Sequence, residues 1–236
     1  ALAGGAVLWL CVFLTRQQIR CWRDDETLFR HALAVTEGNW LAHNNVGTTL
    51  VRQKAFDEAI LQLQQAVKLN PGYAEAHNNL GAALAGNNAF DEAVPQFQQA
   101  LKLKPDYAEA HYNLGKALDK QGASDEAITQ CEAAVRLKPD YIEAHYSLAV
   151  ALLGKGRLDE AITQFQEVLR LQPLWAEAHN DFGVALRMQG RITDAIHEFQ
   201  EALKLKPNYP LACDNLTAAL GTRTNSINDP NRPLPK

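Results

Sequence analysis

The sequence predicts an all-α protein, a solenoid of antiparallel helix pairs, and three observations support this prediction. The chain nearly repeats itself every 34 residues, a period typical of solenoids. Apolar residues recur with helical spacing inside each copy, and a proline that can stop a helix stands near the end of each copy. The copies follow one another without insertion as residues 40–73, 74–107, 108–141, 142–175 and 176–209.

Small residues at fixed places of the repeat explain why the helices can pair closely. A glycine or alanine at the eighth and twentieth places lets two helix backbones approach to the short end of the usual ~8–10 Å. The eighth place holds Gly47, Gly81, Gly115, Ala149 and Gly183, and the twentieth holds Ala59, Ala93, Ala127, Ala161 and Ala195. The thirty-second place holds Pro71, Pro105, Pro139, Pro173 and Pro207, and the last holds Tyr73, Tyr107, Tyr141, Trp175 and Tyr209.

This pattern resembles the tetratricopeptide repeat family, and the resemblance covers residues 40–209. It implies a right-handed superhelix in which the first helix of each pair lines a concave groove. It further implies a protein–protein interaction scaffold that binds an extended peptide or a partner helix in that groove. No catalytic residue and no enzyme activity are expected of this chain, because a repeat spaces equivalent side chains apart instead of bringing them together.

The N-terminal residues 1–20 allow two interpretations. Residues 1–14 carry no charge, and Arg16, Arg20 and Arg23 follow. Fourteen helical residues span about 21 Å, less than the ~30 Å of a bilayer core. The segment is therefore either the end of a membrane helix or an apolar helix that caps the solenoid. The basic flank favours repeats in the cytoplasm, on a protein that is membrane-associated under the first interpretation and cytoplasmic under the second.

Residues 21–39 keep part of the repeat register and predict a degenerate half-repeat that closes the N-terminal end. Phe29 and Ala32 match the twenty-fourth and twenty-seventh places. An apolar segment, basic residues and then repeats also resemble the junction in polytopic membrane proteins that carry a repeat array after a glycosyltransferase-type membrane region. That resemblance implies an alternative function, an accessory domain that recruits substrate, with any catalytic part upstream of residue 1.

The C-terminal residues 210–221 repeat only the first helix and predict a capping helix. We expect Gly221 to end it. The proline-rich remainder, residues 222–236, has little to bury and is expected to be extended or disordered.

The family resemblance also implies which side chains line the groove, at the second, fifth, sixth, ninth, twelfth and thirteenth places. A side-chain amide both donates and accepts hydrogen bonds, so it can pair with the backbone of an extended peptide whatever the peptide's side chains are. Asparagine in these places can alternatively bond within its own helix or to the next repeat. The candidate binding residues are Asn44, Asn45, Asn78, Asn79, Tyr112, Asn113, Lys116, Asp119, Tyr146, Ser147, Asn180, Asp181 and Arg187.

Other ligand classes are disfavoured by charge and spacing. A net charge of −4 does not fit a nucleic-acid surface, which needs a clustered basic face. The histidines at the fourth place, His43, His77, His111, His145 and His179, occur once per repeat, too far apart to share a metal ion. We expect them to pack structurally, and we expect no metal and no cofactor. The partner that the family resemblance implies is a protein or peptide, while membrane attachment through the N-terminal segment and self-association stay open.

Overall fold

The computed structural model describes residues 25–227, and in this part of the chain all regular structure is α-helical. The helices are α1 (Asp25–Val35), α2 (Trp40–Arg52), α3 (Phe56–Leu69), α4 (Ala74–Gly86), α5 (Phe90–Leu103), α6 (Ala108–Lys120), α7 (Ser124–Leu137), α8 (Ile142–Gly154), α9 (Leu158–Leu171), α10 (Ala176–Met188), α11 (Ile192–Leu205) and α12 (Pro210–Ile227). The prediction of an all-α fold built from consecutive antiparallel helix pairs is confirmed.

The described residues fall into two compact units that divide between Ala117 and Leu118, inside α6. In the first unit α1 packs on α2, α2 pairs with α3, α3 packs on α4, and α4 pairs with α5. In the second unit α7 packs on α8, and the same succession continues to α12. The first helices of neighbouring repeats also touch within each unit, since α2 contacts α4 and α8 contacts α10. A second helix such as α3 therefore packs against its own partner and against the first helix of the following repeat.

The small residues of the repeat lie where two helices of a pair are closest. In the second unit, a Cβ added at Gly183 on α10 would lie 2.6 Å from Cε1 of Phe199 on α11. In the first unit, a Cβ at Gly81 on α4 would lie 2.7 Å from Cε1 of Phe97 on α5. Both rings are almost fully buried. The glycine thus makes room for a large apolar side chain that fills the space between the paired helices.

A left-handed residue ends the turn between the helices of each pair. The fifteenth place of the repeat has a positive φ throughout, and three of its five occupants are glycines. The left-handed conformation follows the end of the first helix, where it redirects the chain and closes the last helical turn. The five residues are Lys54, Asn88, Gly122, Gly156 and Gly190.

Several predictions concern residues at the two ends of the chain. Residues 1–24 lie outside the described residues, so the membrane-helix, half-repeat and localisation predictions that depend on them stay predictions. Within residues 21–39 the structure forms α1, which packs on α2. Among the helices of residues 25–227, none has both the length and the apolarity that crossing a bilayer requires.

The predicted end of the C-terminal helix at Gly221 is wrong. Helix α12 continues to Ile227, so residues 222–227 are helical and are not the start of an extended tail. Gly221 does not adopt a positive φ. An internal glycine costs a helix only about 1 kcal/mol relative to alanine, which is too little to end it when no left-handed turn is imposed. The remainder of the predicted tail lies outside the described residues.

Candidate functional site

The candidate site is the surface of the first helices, and its fifth-place asparagines are buried. Asn44 on α2, Asn78 on α4 and Asn180 on α10 are 5%, 6% and 0% exposed. A side chain that is this enclosed exposes little surface to a ligand. That these three residues contact a peptide stays a prediction; in the structure they lie between the first helices of neighbouring repeats.

The sixth-place asparagines are half-buried, and they bond to the buried row of the preceding repeat. In the first unit, Asn79 Nδ2 donates to Asn44 Oδ1 at 3.0 Å, and Asn113 Nδ2 donates to Asn78 Oδ1 at 3.0 Å. Asn79 Nδ2 also donates to Thr48 Oγ1 at 3.2 Å. The inter-repeat alternative left open by the sequence is thus present. The side-chain oxygens of Asn79 and Asn113 nevertheless have no hydrogen-bond partner among the described residues.

In the second unit one inter-repeat hydrogen bond has its donor at the fifth place and its acceptor at the sixth. Tyr146 on α8 donates its hydroxyl to Asp181 Oδ2 on α10 at 2.5 Å. Asp181 Oδ1 accepts from Asn180 Nδ2 at 2.9 Å, and Asn180 Oδ1 accepts from Asn215 Nδ2 on α12 at 2.9 Å. Burial and the bond to Asp181 raise the pKa of Tyr146 well above the ordinary value. Because a carboxylate only accepts, the fifth place here needs a donor, and tyrosine supplies it.

The remaining candidate residues lie on the first helices at varied depth. Asn45, Ser147 and Arg187 are half-buried, while Lys116 and Asp119 are exposed. Lys116 Nζ lies 5.3 Å from the ring centroid of the half-buried Tyr112. The ring of Tyr146 stacks on Trp175, with centroids 4.5 Å apart. Within each unit, the half-buried and exposed members of this set form a surface that we call the first-helix face.

Some of the glutamates at the second place of the repeat form ion pairs with lysines. Glu75 pairs with Lys104 Nζ at 3.3 Å in the first unit, and Glu177 pairs with Lys206 Nζ at 2.7 Å in the second. The pair lowers the pKa of Glu177, chiefly through the hydrogen bond from Lys206. The equivalent Glu143 has Gln172 where the lysine would stand. Glu143 is exposed and has no ion-pair partner among the described residues.

The fourth-place histidines hold the two helices of a pair and the preceding turn together. His77 places Nδ1 2.9 Å from Gln96 Oε1 on the second helix and Nε2 3.1 Å from the carbonyl oxygen of Pro71. His145 makes the same contacts to Gln164 and Pro139. A glutamine can turn either its oxygen or its NH₂ group toward the ring, so it can pair with a neutral histidine. These contacts give the histidines the structural role that the sequence predicts.

The last repeat replaces the glutamine by Glu198, and the histidine chemistry changes. His179 places Nδ1 2.7 Å from Glu198 Oε2 and Nε2 2.9 Å from the Pro173 carbonyl oxygen. Both neighbours only accept hydrogen bonds, so the imidazolium satisfies both and the neutral ring cannot. The hydrogen bond to Glu198 raises the pKa of His179, with smaller contributions from Pro173 and Glu201. Glu198 also lies 3.2 Å from the exposed His197.

Sequence reasoning missed a second row of inter-repeat bonds. In the first unit, Asn87 Nδ2 donates to Asp57 Oδ1 at 3.1 Å. In the second unit, Lys155 pairs with Asp125 at 2.9 Å, and Gln189 donates to Asp159. The aspartates open their second helices, where the helix dipole alone explains an acid. The signal that could have revealed their further role is the long polar residue that recurs at the fourteenth place of the repeats.

Comparison with known proteins identifies the repeats. Family models described as tetratricopeptide repeat match residues 79–142 and 143–210, and one described as TPR repeat matches residues 47–88. Together these matches span well over half of the chain. A search of curated proteins finds no match.

Several solved structures share this fold. YrrB, described as a TPR protein with an unusual peptide-binding site, is 24% identical with a TM-score of 0.67, over 79% of this chain and 96% of YrrB. MamA 41-end from Desulfovibrio magneticus RS-1 is 24% identical with a TM-score of 0.66, over 73% of this chain and 97% of that chain. A double mutant of MamA RS-1 is 25% identical with a TM-score of 0.65, over 78% of this chain and 96% of its own length.

Proposed function

This chain belongs to the tetratricopeptide repeat family, and on that premise we propose that it binds an extended peptide segment of a partner protein on the first-helix face. Proteins of this family generally mediate protein–protein interactions, and their fold is typically a non-catalytic scaffold. YrrB, a protein of similar fold, is described as having a peptide-binding site. The same class of ligand suits the polar groups that this chain presents.

The observation that supports the proposal is a row of side-chain amide oxygens held in fixed positions. Asn79 and Asn113 direct their NH₂ groups into the buried row, and this fixes the orientation of each amide. Their oxygens have no partner among the described residues, and Asn45 has no side-chain hydrogen bond there at all. Adjacent packed helices lie about 10 Å apart, which matches about three residues of extended peptide at ~3.3 Å each. An oxygen on each repeat can therefore accept from about every third backbone N–H of a ligand.

Binding would cost little conformational entropy, because internal hydrogen bonds already hold side chains of this row in place. The amides of Asn79 and Asn113 are already oriented by bonds within the protein, so their loss of side-chain freedom on binding is small. A buried Asn78 or Asn180 supports the surface, while a half-buried neighbour is left to meet the ligand. Support and contact are therefore divided between adjacent places of the same helix.

Asn45→Ala tests the proposal most directly, because this side chain makes no hydrogen bond that its removal would break. The probe is a fluorescein-labelled pool of nine-residue peptides of randomised sequence, titrated against the whole chain and followed by fluorescence anisotropy. We expect the variant to bind about fivefold more weakly, since one hydrogen bond contributes about 1 kcal/mol. Its melting temperature should not change. Asn208→Ala, an exposed asparagine between α11 and α12, is the matched control and should bind as the native chain does.

A second arm identifies which part of the peptide is recognised. A pool with N-methylated backbone amides at every third position lacks the proposed donors but keeps its side chains. We expect the double variant Asn79→Ala with Asn113→Ala to lose its preference for the unmethylated pool. Equal affinity of the native chain for both pools, together with unchanged binding by Asn45→Ala, would show that the amide oxygens do not hold a peptide backbone.

A further inference from the structure

The first-helix face of the second unit differs from that of the first by an exposed row of aliphatic side chains. Val150 on α8 is 41% exposed and Met188 on α10 is 55% exposed. Leu153 and Val184 lie beside them, half-buried and packed against the core. We call Val150, Leu153, Val184 and Met188 the apolar strip. In the first unit, the ninth place that Val150 and Val184 occupy holds Thr48, Ala82 and Lys116.

The hydrogen bond between Tyr146 and Asp181 shows that the two helices present this strip side by side. Val150 lies one turn beyond Tyr146 on α8, and Val184 lies about one turn beyond Asp181 on α10. Residues three or four apart share a helix face, and α8 and α10 are in contact. The four aliphatic side chains therefore line neighbouring turns of two adjacent helices.

Two charges bracket the strip along the helix axis. Glu143 lies in the first turn of α8, seven residues and about two turns before Val150, so it shares the same face. Arg187 lies at the far end, near Met188 on α10. Neither side chain has an ion-pair partner among the described residues of the chain. Their places in the repeat are ten residues apart, about 15 Å along a helix, and the two helices lie about 10 Å apart. The direct separation is therefore about 18 Å, which is five or six residues of extended peptide.

We propose that the second unit selects a peptide segment of stated chemistry: a basic residue and an acidic residue five or six positions apart, with large aliphatic side chains between them. This inference rests on the proposed function and adds its specificity. The basic residue pairs with Glu143, the acidic residue pairs with Arg187, and the aliphatic side chains cover the apolar strip. Charge complementarity at both ends also fixes the direction in which the segment lies.

The experiment uses the whole chain and the synthetic peptide Ac-Ala-Lys-Ala-Leu-Leu-Ala-Glu-Ala-amide, labelled with fluorescein. Its reverse-order partner, with Glu and Lys exchanged, covers the other chain direction. In the comparison peptides both leucines are replaced by asparagine, or the lysine is replaced by glutamate. We expect one of the two Leu peptides to bind about tenfold more tightly than its asparagine counterpart, a difference of about 1.4 kcal/mol.

The variants test each part of the recognition separately. Val150→Ser with Met188→Gln should weaken the Leu peptide about tenfold and leave the asparagine peptide unchanged. Glu143→Lys should weaken the Lys peptide about threefold to tenfold and should bind the peptide that has glutamate in both places more tightly than the native chain does. Leu137→Ser is the matched control, because Leu137 on the second helix α7 is 40% exposed, as Val150 is, but lies off the first-helix face.

The outcomes distinguish this inference from the proposed function. If Asn45→Ala weakens the randomised pool while the native chain does not discriminate between leucine and asparagine peptides, backbone binding stands and the selectivity proposed here is wrong. A second copy of the chain is the other candidate occupant. Sedimentation that shows a dimer, dissociated by Val150→Ser with Met188→Gln, together with no peptide discrimination, would also overturn the proposal.

Discussion

Replacing Asn180 by alanine should destabilise the second unit substantially, although the residue is a polar side chain on a helix. Asn180 is fully buried. Its Nδ2 donates to the Asp181 carboxylate at 2.9 Å and its Oδ1 accepts from Asn215 at 2.9 Å. A bond to a charged group contributes about 1.5–3 kcal/mol and a neutral one about 1 kcal/mol. Alanine regains about 0.5 kcal/mol of helix propensity, so we expect a net loss of about 2–3.5 kcal/mol.

The measurement is chemical denaturation of the whole chain followed by far-UV circular dichroism, with Asn45→Ala as the control. Asn45 is half-buried and has no side-chain hydrogen bond among the described residues, so its replacement should change stability by less than about 0.5 kcal/mol. Adding Asn215→Ala completes a double-mutant cycle, in which we expect a coupling energy of about 0.5–1.5 kcal/mol. If Asn180→Ala is as stable as Asn45→Ala, or the coupling is zero, the buried row does not hold the repeats together.

Two further predictions concern the same unit. Gly183→Ala places a Cβ 2.6 Å from the Phe199 ring, whereas the Cβ of Gly154→Ala meets nothing within 4 Å. Overpacking costs about 1–3 kcal/mol, so Gly183→Ala should have a melting temperature a few degrees lower than that of Gly154→Ala. Equal melting temperatures would contradict the close contact. Because the folded pKa of His179 is raised above 6.5, its stabilising contribution is complete below about pH 6.5 and is lost as the pH rises through the folded value. Melting temperatures measured from pH 5.5 to 8.5 should therefore fall more steeply for the native chain than for Glu198→Gln, and parallel curves would show that the imidazolium contributes nothing.

The helices could be predicted from the sequence because each one is set by residues that the repeat makes visible. A glycine at the eighth place faces a large ring such as Phe97, and an alanine such as Ala93 lies at a helix contact. Each choice is constrained by packing, and the repetition averages out local exceptions. The first helices accordingly begin at residues 40, 74, 108, 142, 176 and 210, in the register of the repeat.

The end of the last helix and the depth of the asparagines could not be predicted in the same way. Gly221 resembles a helix stop, but a glycine ends a helix through a left-handed turn. The left-handed residues of the fifteenth place each precede the second helix of a pair. No second helix follows α12 within the described residues. Similarly, Asn78 and Asn79 are adjacent in sequence and differ only by a rotation of about 100° on the helix. Which of them is buried depends on how the next repeat packs.

Residue differences among the repeats contain the signal that would have distinguished the fifth place from the sixth. The fifth-place Asn78 is followed 35 residues later by the sixth-place Asn113, and Asn180 is followed in the same way by Asn215. Where the fifth place is Tyr146, the residue 35 positions later is Asp181. An amide thus occurs opposite an amide, and a hydroxyl donor opposite a carboxylate that only accepts.

This matched exchange argues that the buried row is maintained by complementarity between repeats, independently of any ligand. A sixth-place residue that only supported its neighbour could be replaced by any donor, whereas a sixth-place amide supplies both the inter-repeat donor and an outward acceptor. At Asp181 one carboxylate oxygen accepts from Tyr146 and the other from Asn180, while Tyr146 takes over the donor role. Where the polarity of the inner bond is reversed, an acceptor is still present at the sixth place. The Tyr146 hydroxyl needs that acceptor, so at this place complementarity between the repeats alone explains the exchange.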